Sequence, residues 1–262
     1  MARVALEIAD HVARIRLVRP EKRNAVDQEM IDAVIAAAAD IAASEARVVI
    51  LSGEGPDFCA GIDLEALSGL IGKDPGTAIL PRTHGDGTTN QWQEFSLALR
   101  RLEIPVIAVL HGNVFGAGLQ LALGADIRIA APSARLAVME MKWGIVPDMG
   151  GMVLLPRLVR SDVMRRLIYT AAPVDGAQAE RCGLVTELAE DPMASAIELA
   201  RAIAAKGPNA IRAAKRLIAM AETADEAEVL LAESREQAAL IGRPEQMEVV
   251  AAQFAKRAPR FA

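Results

Sequence analysis

The sequence predicts an α/β fold made of strand, glycine turn and helix repeats, followed by a helical C-terminal third. Three observations carry this. Short apolar strands running into glycine recur through the first half, Ala-rich amphipathic helices separate them, and from Met149 onward helical runs follow one another with little strand signal. With 262 residues, 52% of them apolar, the chain suits one large domain or a domain with a helical appendage.

The elements follow in order. Val4 to Ile8 and Val12 to Val18 alternate apolar and polar residues around "ADH", the pattern of a hairpin with one buried face. After Pro20 the chain turns. Asp27 then precedes "QEMIDAVIAAAADIAAS" as a candidate N-cap, with Glu29 favourable near the positive helix end. "RVVILSG" (47–53), "IPVIAVLHG" and "DIRIA" read as short strands, giving stacked ββα units or parallel strands with helical crossovers up to about residue 138. "GLIGKDPGTAILPRTHGDGTTN", between Gly69 and Asn90, reads as a long mobile loop of the kind that forms lids or binding segments. Beyond Met149 only "GLVTELA" reads as a strand, while 193–205, 208–221, 224–240 and 243–257 carry helical periodicity.

Composition excludes several classes. The net charge of −5 comes from interspersed charges, so the sequence shows no electrostatic footprint for a nucleic-acid partner. Two cysteines, Cys59 and Cys182, neither form a disulfide framework nor match a zinc spacing, which points to a reducing compartment. The first residues lack the unbroken apolar core of a signal peptide, and no apolar run reaches the roughly 18 residues of a membrane span. A cytoplasmic protein without membrane or metal partners is expected.

Two glycine-bearing turns lead from strands into helices, "SGEGPDFCAGIDL" and "HGNVFGAGLQL". A helix opening after such a turn offers unpaired N–H groups with partial positive charge. If the turns face each other, one N–H from each could hold a developing oxyanion; taken singly, each turn is equally well a tight crossover.

The pair resembles the crotonase (enoyl-CoA hydratase/isomerase) superfamily, through "IAVLHGNVFGAGLQLALGADI" at 107–127. Around it stand "RPEKRNAV" (19–26), "FCAGIDL" (58–64), "GIVPDMGG" (144–151), "PRLV" (156–159), "GLV" (183–185) and the terminal "FAKRAPRF", in family order over nearly the whole chain. The resemblance implies a crotonase-like spiral of ββα repeats, residues 1–195, with a C-terminal helical trimerisation region, 196–262, and a homo-oligomer, either a trimer or a dimer of trimers. It also implies an acyl-CoA thioester substrate, with coenzyme A present as part of the substrate and no other cofactor. The oxyanion-hole amides then fall on Ile62 and Ala117, where only the backbone matters.

The family's hydratases carry two glutamates. The later one matches Glu140, whereas the earlier one is Gln120, an amide that cannot take up a proton near neutral pH and could only place water or substrate. Asp148, eight positions after Glu140, supplies a second acid at the offset that the family's dienoyl-CoA isomerases use. The catalytic set implied is therefore Glu140, Asp148 and Gln120, and it favours proton shuttling over hydration. Plainer readings stand beside these roles: a solvated carboxylate for Glu140, and an N-cap near Met149 for Asp148.

For coenzyme A and substrate, the matching positions are Lys22, Arg23, Ala25, Ala60, Asp63, Leu64, Gly116 and Lys256, with Arg257 beside the last. Glu65 stands where some relatives place a basic residue. The bland alternative for these cations is solvated surface charge. His111 is expected to satisfy local backbone groups, His84 lies in the lid segment, and Trp92 and Trp143 are packing or pocket walls. Hydration of 2-trans-enoyl-CoA is the alternative reaction and a non-catalytic acyl-CoA-binding protein the alternative class. A serine peptidase lacks a recognisable nucleophile and base.

Overall fold

The computed structural model describes residues 2–69 and 74–261. Strands β1 (Val4–Ala9) and β2 (Val12–Leu17) form the expected hairpin, with Asp10 and His11 both at positive φ, the conformation a two-residue turn needs to match strand twist. Helix α1 (Gln28–Ala42) is capped by Asp27, whose carboxylate accepts from the Met30 N–H at 2.9 Å.

Next come β3 (Val48–Gly53), the short helices α2 (Leu64–Ser68) and α3 (Pro75–Ile79), α4 (Gln91–Arg101), β4 (Val106–Leu110), β5 (Asn113–Phe115) and α5 (Ala117–Leu123). Then follow β6 (Ile127–Ala130), β7 (Arg135–Ala137), a 3-10 turn at Glu140–Trp143, α6 (Gly151–Leu154), α7 (Ser161–Thr170), β8 (Val174–Asp175), α8 (Gly176–Cys182) and β9 (Glu187–Leu188). Helices α9 (Pro192–Ala204), α10 (Pro208–Ala221), α11 (Glu226–Leu240) and α12 (Pro244–Phe254) complete the chain.

The main sheet has the order β1-β2-β3-β4-β6-β9, parallel from β2 onward. A second sheet, β5-β7-β8, is joined by a parallel bridge between Cys59 and Val114. β4 is thus followed by β5 and then α5, and β6 by β7 of the same second layer, the repeating unit of the ββα spiral. β5 and β7 are three residues each and were hidden in the glycine turn and in "ARLA", too short for alternation to register.

Strands β3 and β4 are buried on both faces. Val49, Leu51, Ala108 and Leu110 face the core shared with α1, α4 and α5; Val48, Ile50, Ile107 and Val109 face Ala196 and Ala200 of α9. A boundary at 195/196 therefore falls inside a helix that closes the core. Past α9 burial thins: α10 buries only Ala213, α12 only Ala252, and α11 nothing.

The segment expected to be a mobile loop contains α3, capped by Asp74, and a turn closed by the His84–Thr89 bridge. Asn90 ties the two by donating to the Ile79 carbonyl at 2.7 Å. Residues 70–73 of that expectation lie outside the described residues. No described helix is long and apolar enough to cross a membrane.

Candidate active site

The turns after β3 and β4 lie side by side. Phe115 N–H donates to Cys59 O at 3.0 Å and Cys59 N–H to Asn113 O at 3.1 Å. Glycine makes this approach possible. A Cβ on Gly118 would stand 2.5 Å from the Cys59 Cβ, and one on Gly61, at φ +99°, would meet Phe115 O at 3.0 Å.

Ile62 is bracketed by two bonds to Val26, one accepted by Gly61 O and one donated by Asp63 N, each 2.8 Å. Its own N–H has no partner among the described residues. Ala117, first residue of α5, is in the same position: Gly116 N–H is taken by Ala137 O, and the Ala117 N–H, at the helix start, has no partner among the described residues. Two unpaired amides on adjacent turns can hold one oxygen.

A buried cation secures the first turn. Arg19 donates to the Ala25 carbonyl and, at 2.7 Å, to Asp63, and it lies 3.3 Å from Asp27. Burial alone would raise the Asp63 carboxyl, but the Arg19 hydrogen bond and charge, with the Glu65 N–H, hold it below its ordinary value. Asn24, fully buried at φ +54°, accepts from Arg19 N–H and donates to the carbonyls of Glu54, Asp57 and Phe58. Sequence reading missed both roles. The signal was there in "RPEKRNAV", where Asn is a residue that tolerates left-handed backbone.

Asp63 is therefore committed to Arg19 rather than open to a ligand. Removing the clamp should misplace the Ile62 amide: Arg19→Met is expected to lower the melting temperature and to cut kcat about 100-fold with a smaller change in KM. Steady-state kinetics on the folded variant check this; an unchanged kcat would refute the positioning role.

Gln120, 2% exposed, joins the site from α5. Its Oε1 accepts from Met149 N–H and Gly151 N–H, each at 2.9 Å, and its Nε2 donates to Glu140 Oε1 at 2.6 Å. The amide is thus spent on holding Glu140 to the 149–151 turn, and its carbonyl is closed to water. A carboxylate here would satisfy the two N–H groups but not donate to Glu140.

Glu140 is 7% exposed, and its Oε2 has no partner among the described residues. Burial pushes its carboxyl above the ordinary value and the charge of Asp148 adds to this, against lowering hydrogen bonds that include Gln120. The solvated strand-end alternative for Glu140 is set aside by this burial. Burial also raises Asp148. Asp148 does not cap a helix: α6 starts only at Gly151, with Gly150 as N-cap and no side-chain capping bond. Two carboxyls that both favour the protonated form more than in water, the first sensing the charge of the second, are suited to taking up and releasing a proton.

The remaining positions are peripheral. Lys22 lies 3.6 Å from Glu65 and Arg23 3.6 Å from the buried Asp57, both with exposed side chains. Ala60 N–H donates to Arg23 O, so Ala25, Ala60 and these cations share one turn, with Leu64 exposed beside it. Lys256 is exposed after α12, and no hydrogen bond or ion pair links it to that turn. A Cβ on Gly116 would come within 3.4 Å of Glu140 Oε1. His111 meets Gly55 O at 2.9 Å, as expected of a backbone-satisfying residue, and His84 pairs with Thr83. Cys59 is fully buried and its thiol pushed up to about 12, which leaves it inert. Among the described residues no cluster of His, Cys, Asp and Glu could hold a metal ion.

The family model for enoyl-CoA hydratase/isomerase matches residues 7–262. A Mycobacterium tuberculosis protein named probable enoyl-CoA hydratase EchA14 is 37% identical over 214 residues, covering 81% of this chain and 79% of its own length. Mouse mitochondrial methylglutaconyl-CoA hydratase is 30% identical over 248 residues, 91% of this chain and 76% of that protein. The solved enoyl-CoA hydratase of Bacillus anthracis superposes with a TM-score of 0.90 at 30% identity, covering 99% of this chain and 98% of that one.

Proposed function

Since the chain belongs to the enoyl-CoA hydratase/isomerase family, we propose that it moves a double bond within an unsaturated acyl-CoA. The thioester oxygen accepts from the Ile62 and Ala117 amides, which stabilise the enolate formed when a proton leaves the adjacent carbon. Glu140 Oε2 takes that proton from carbon 2 and returns it to carbon 4 of a 3-enoyl ester, shifting the double bond into conjugation. Asp148, coupled to Glu140 through charge, assists the transfer from its own side. No atom is gained or lost, so no water site is required.

The observation that carries this reading is the commitment of Gln120, whose amide is bonded to Met149, Gly151 and Glu140 and has no basic atom. Hydration of 2-trans-enoyl-CoA is the second reading, favoured by the hydratase names of the relatives; Glu140 would then work alone. Arg23 and Lys22 would meet the coenzyme A phosphates, with the backbone of Ala25 and Ala60 and the Leu64 side chain along the pantetheine. Lys256 would serve from a neighbouring subunit. Leu230, Leu231, Ile241, Met247 and Phe254, all exposed on the C-terminal helices, support a homo-oligomer, a trimer or a dimer of trimers, and two free cysteines support a cytoplasmic setting.

The test is turnover of matched 2-enoyl-, 3-enoyl- and 3,5-dienoyl-CoA, with products separated by mass and retention. The expected product is the migrated double bond without mass gain. Efficient gain of water on the 2-enoyl ester without migration would overturn the reading in favour of hydration. Tight binding with no turnover would make the protein a non-catalytic acyl-CoA binder.

A further inference from the structure

Among the described residues, three buried side-chain polar atoms lack a hydrogen-bond partner: Glu140 Oε2, Ser96 Oγ and Trp92 Nε1. The first has a role above; the other two have none. An unpaired buried donor costs enough that it signals an absent partner. Trp92 and Ser96 are four residues apart on α4 and so lie on one helix face.

That face is turned toward the reaction centre. The Ser96 Cβ lies 3.7 Å from where a Cβ on Gly150 would stand, and Gly150 is the middle of the turn that holds Gln120. A Cβ on Gly124, at the end of α5, would collide with the Ser96 carbonyl. Helices α4 and α5 each return toward the start of the next parallel strand and therefore run in the same direction. Trp92 lies one turn before Ser96 on α4, as Gln120 lies one turn before Gly124 on α5. Its ring is half-buried and packs on the core, while Ser96 is fully buried.

We propose that Trp92 and Ser96 form a polar subsite for the acyl group, beyond the reacting carbons, and that the substrate carries a neutral oxygen there, a hydroxyl or a ketone. The indole N–H can only donate, and the hydroxyl can donate or accept, which fits an oxygen and not an ammonium. A distal carboxylate is disfavoured by Glu140 and Asp148, the two acids on the adjoining turns. The proposal rests on the acyl-CoA reading of the site and narrows it to one class of acyl chain.

Equilibrium binding of saturated CoA esters of matched length, ending in methyl, hydroxyl, ketone or carboxylate, tests this without turnover. The wild type is expected to prefer hydroxyl or keto esters over the methyl ester by about tenfold. Trp92→Phe and Ser96→Ala should each reduce that preference, and their retained binding of the methyl ester reports that the variants fold. Equal affinity for methyl and oxygenated esters, a preference surviving in both variants, or carboxylate binding best would overturn the subsite and leave the enzyme reading intact. Failure of every ester to bind the wild type would overturn both.

Discussion

Replacing Glu140 by Gln lowers kcat for double-bond migration by about 10²- to 10⁴-fold, the range of a lost general acid–base group, with little change in the Kd of a saturated CoA ester. The substitution keeps an oxygen that can accept from Gln120 Nε2, now 2.6 Å away, so the site is neutralised and not dismantled. Two pH effects accompany it. In the wild type, activity needs ionised Glu140 and falls on acidification through a carboxyl value raised chiefly by burial. Because the folded value lies above the unfolded one, this group makes the fold lose stability as pH rises from the unfolded value through the folded one. Glu140→Gln should therefore be more stable than the wild type at pH 8 and indistinguishable below about pH 4. Single-turnover assays and denaturant titrations at both pH values check this; full activity in the variant would remove Glu140 from the mechanism.

Replacing Gln120 by Glu raises hydration of 2-trans-enoyl-CoA, about 100-fold if a missing general base is the only obstacle, and depresses double-bond migration. The new carboxylate keeps the Met149 and Gly151 N–H donors on one oxygen. Its other oxygen faces Glu140 Oε1 where an amide donor stood, and two carboxylates at that separation share one proton. A bell-shaped pH–rate profile for hydration follows, with apparent values belonging to the pair. Mass gain of one water, followed by chromatography across pH, measures it. Absence of any gain would mean that the space for water is missing as well as the base.

Much of this was legible in the chain. The hairpin, the Asp27 cap and the apolar strands are set by local periodicity and capping chemistry, and the structure places them within a residue or two of the expected ends. Other features were not. β5 and β7 have three residues each, too few for a period, and gain their strand character by pairing with each other, with Cys59 and with β8. For Asp148 a helix cap stood as the plainer alternative to a catalytic role, yet the chain makes two more residues of turn before α6 begins at Gly151. Arg19 had no role assigned from the sequence, and burial against Asp63 makes it the clamp of the Ile62 turn.

By itself the sequence determined the family, the order of strands and helices and the loss of a basic group at position 120, because these depend on residue identity and spacing along the chain. Only the tertiary structure decided that the Ile62 and Ala117 amides have no partner among the described residues, that Gln120 spends its oxygen on two backbone N–H groups, and that Glu140 keeps one oxygen unpaired among them. Hydrogen-bond satisfaction and desolvation depend on which distant segments meet. For Gln120 and Glu140 those partners lie 20 to 31 residues away, beyond any local pattern.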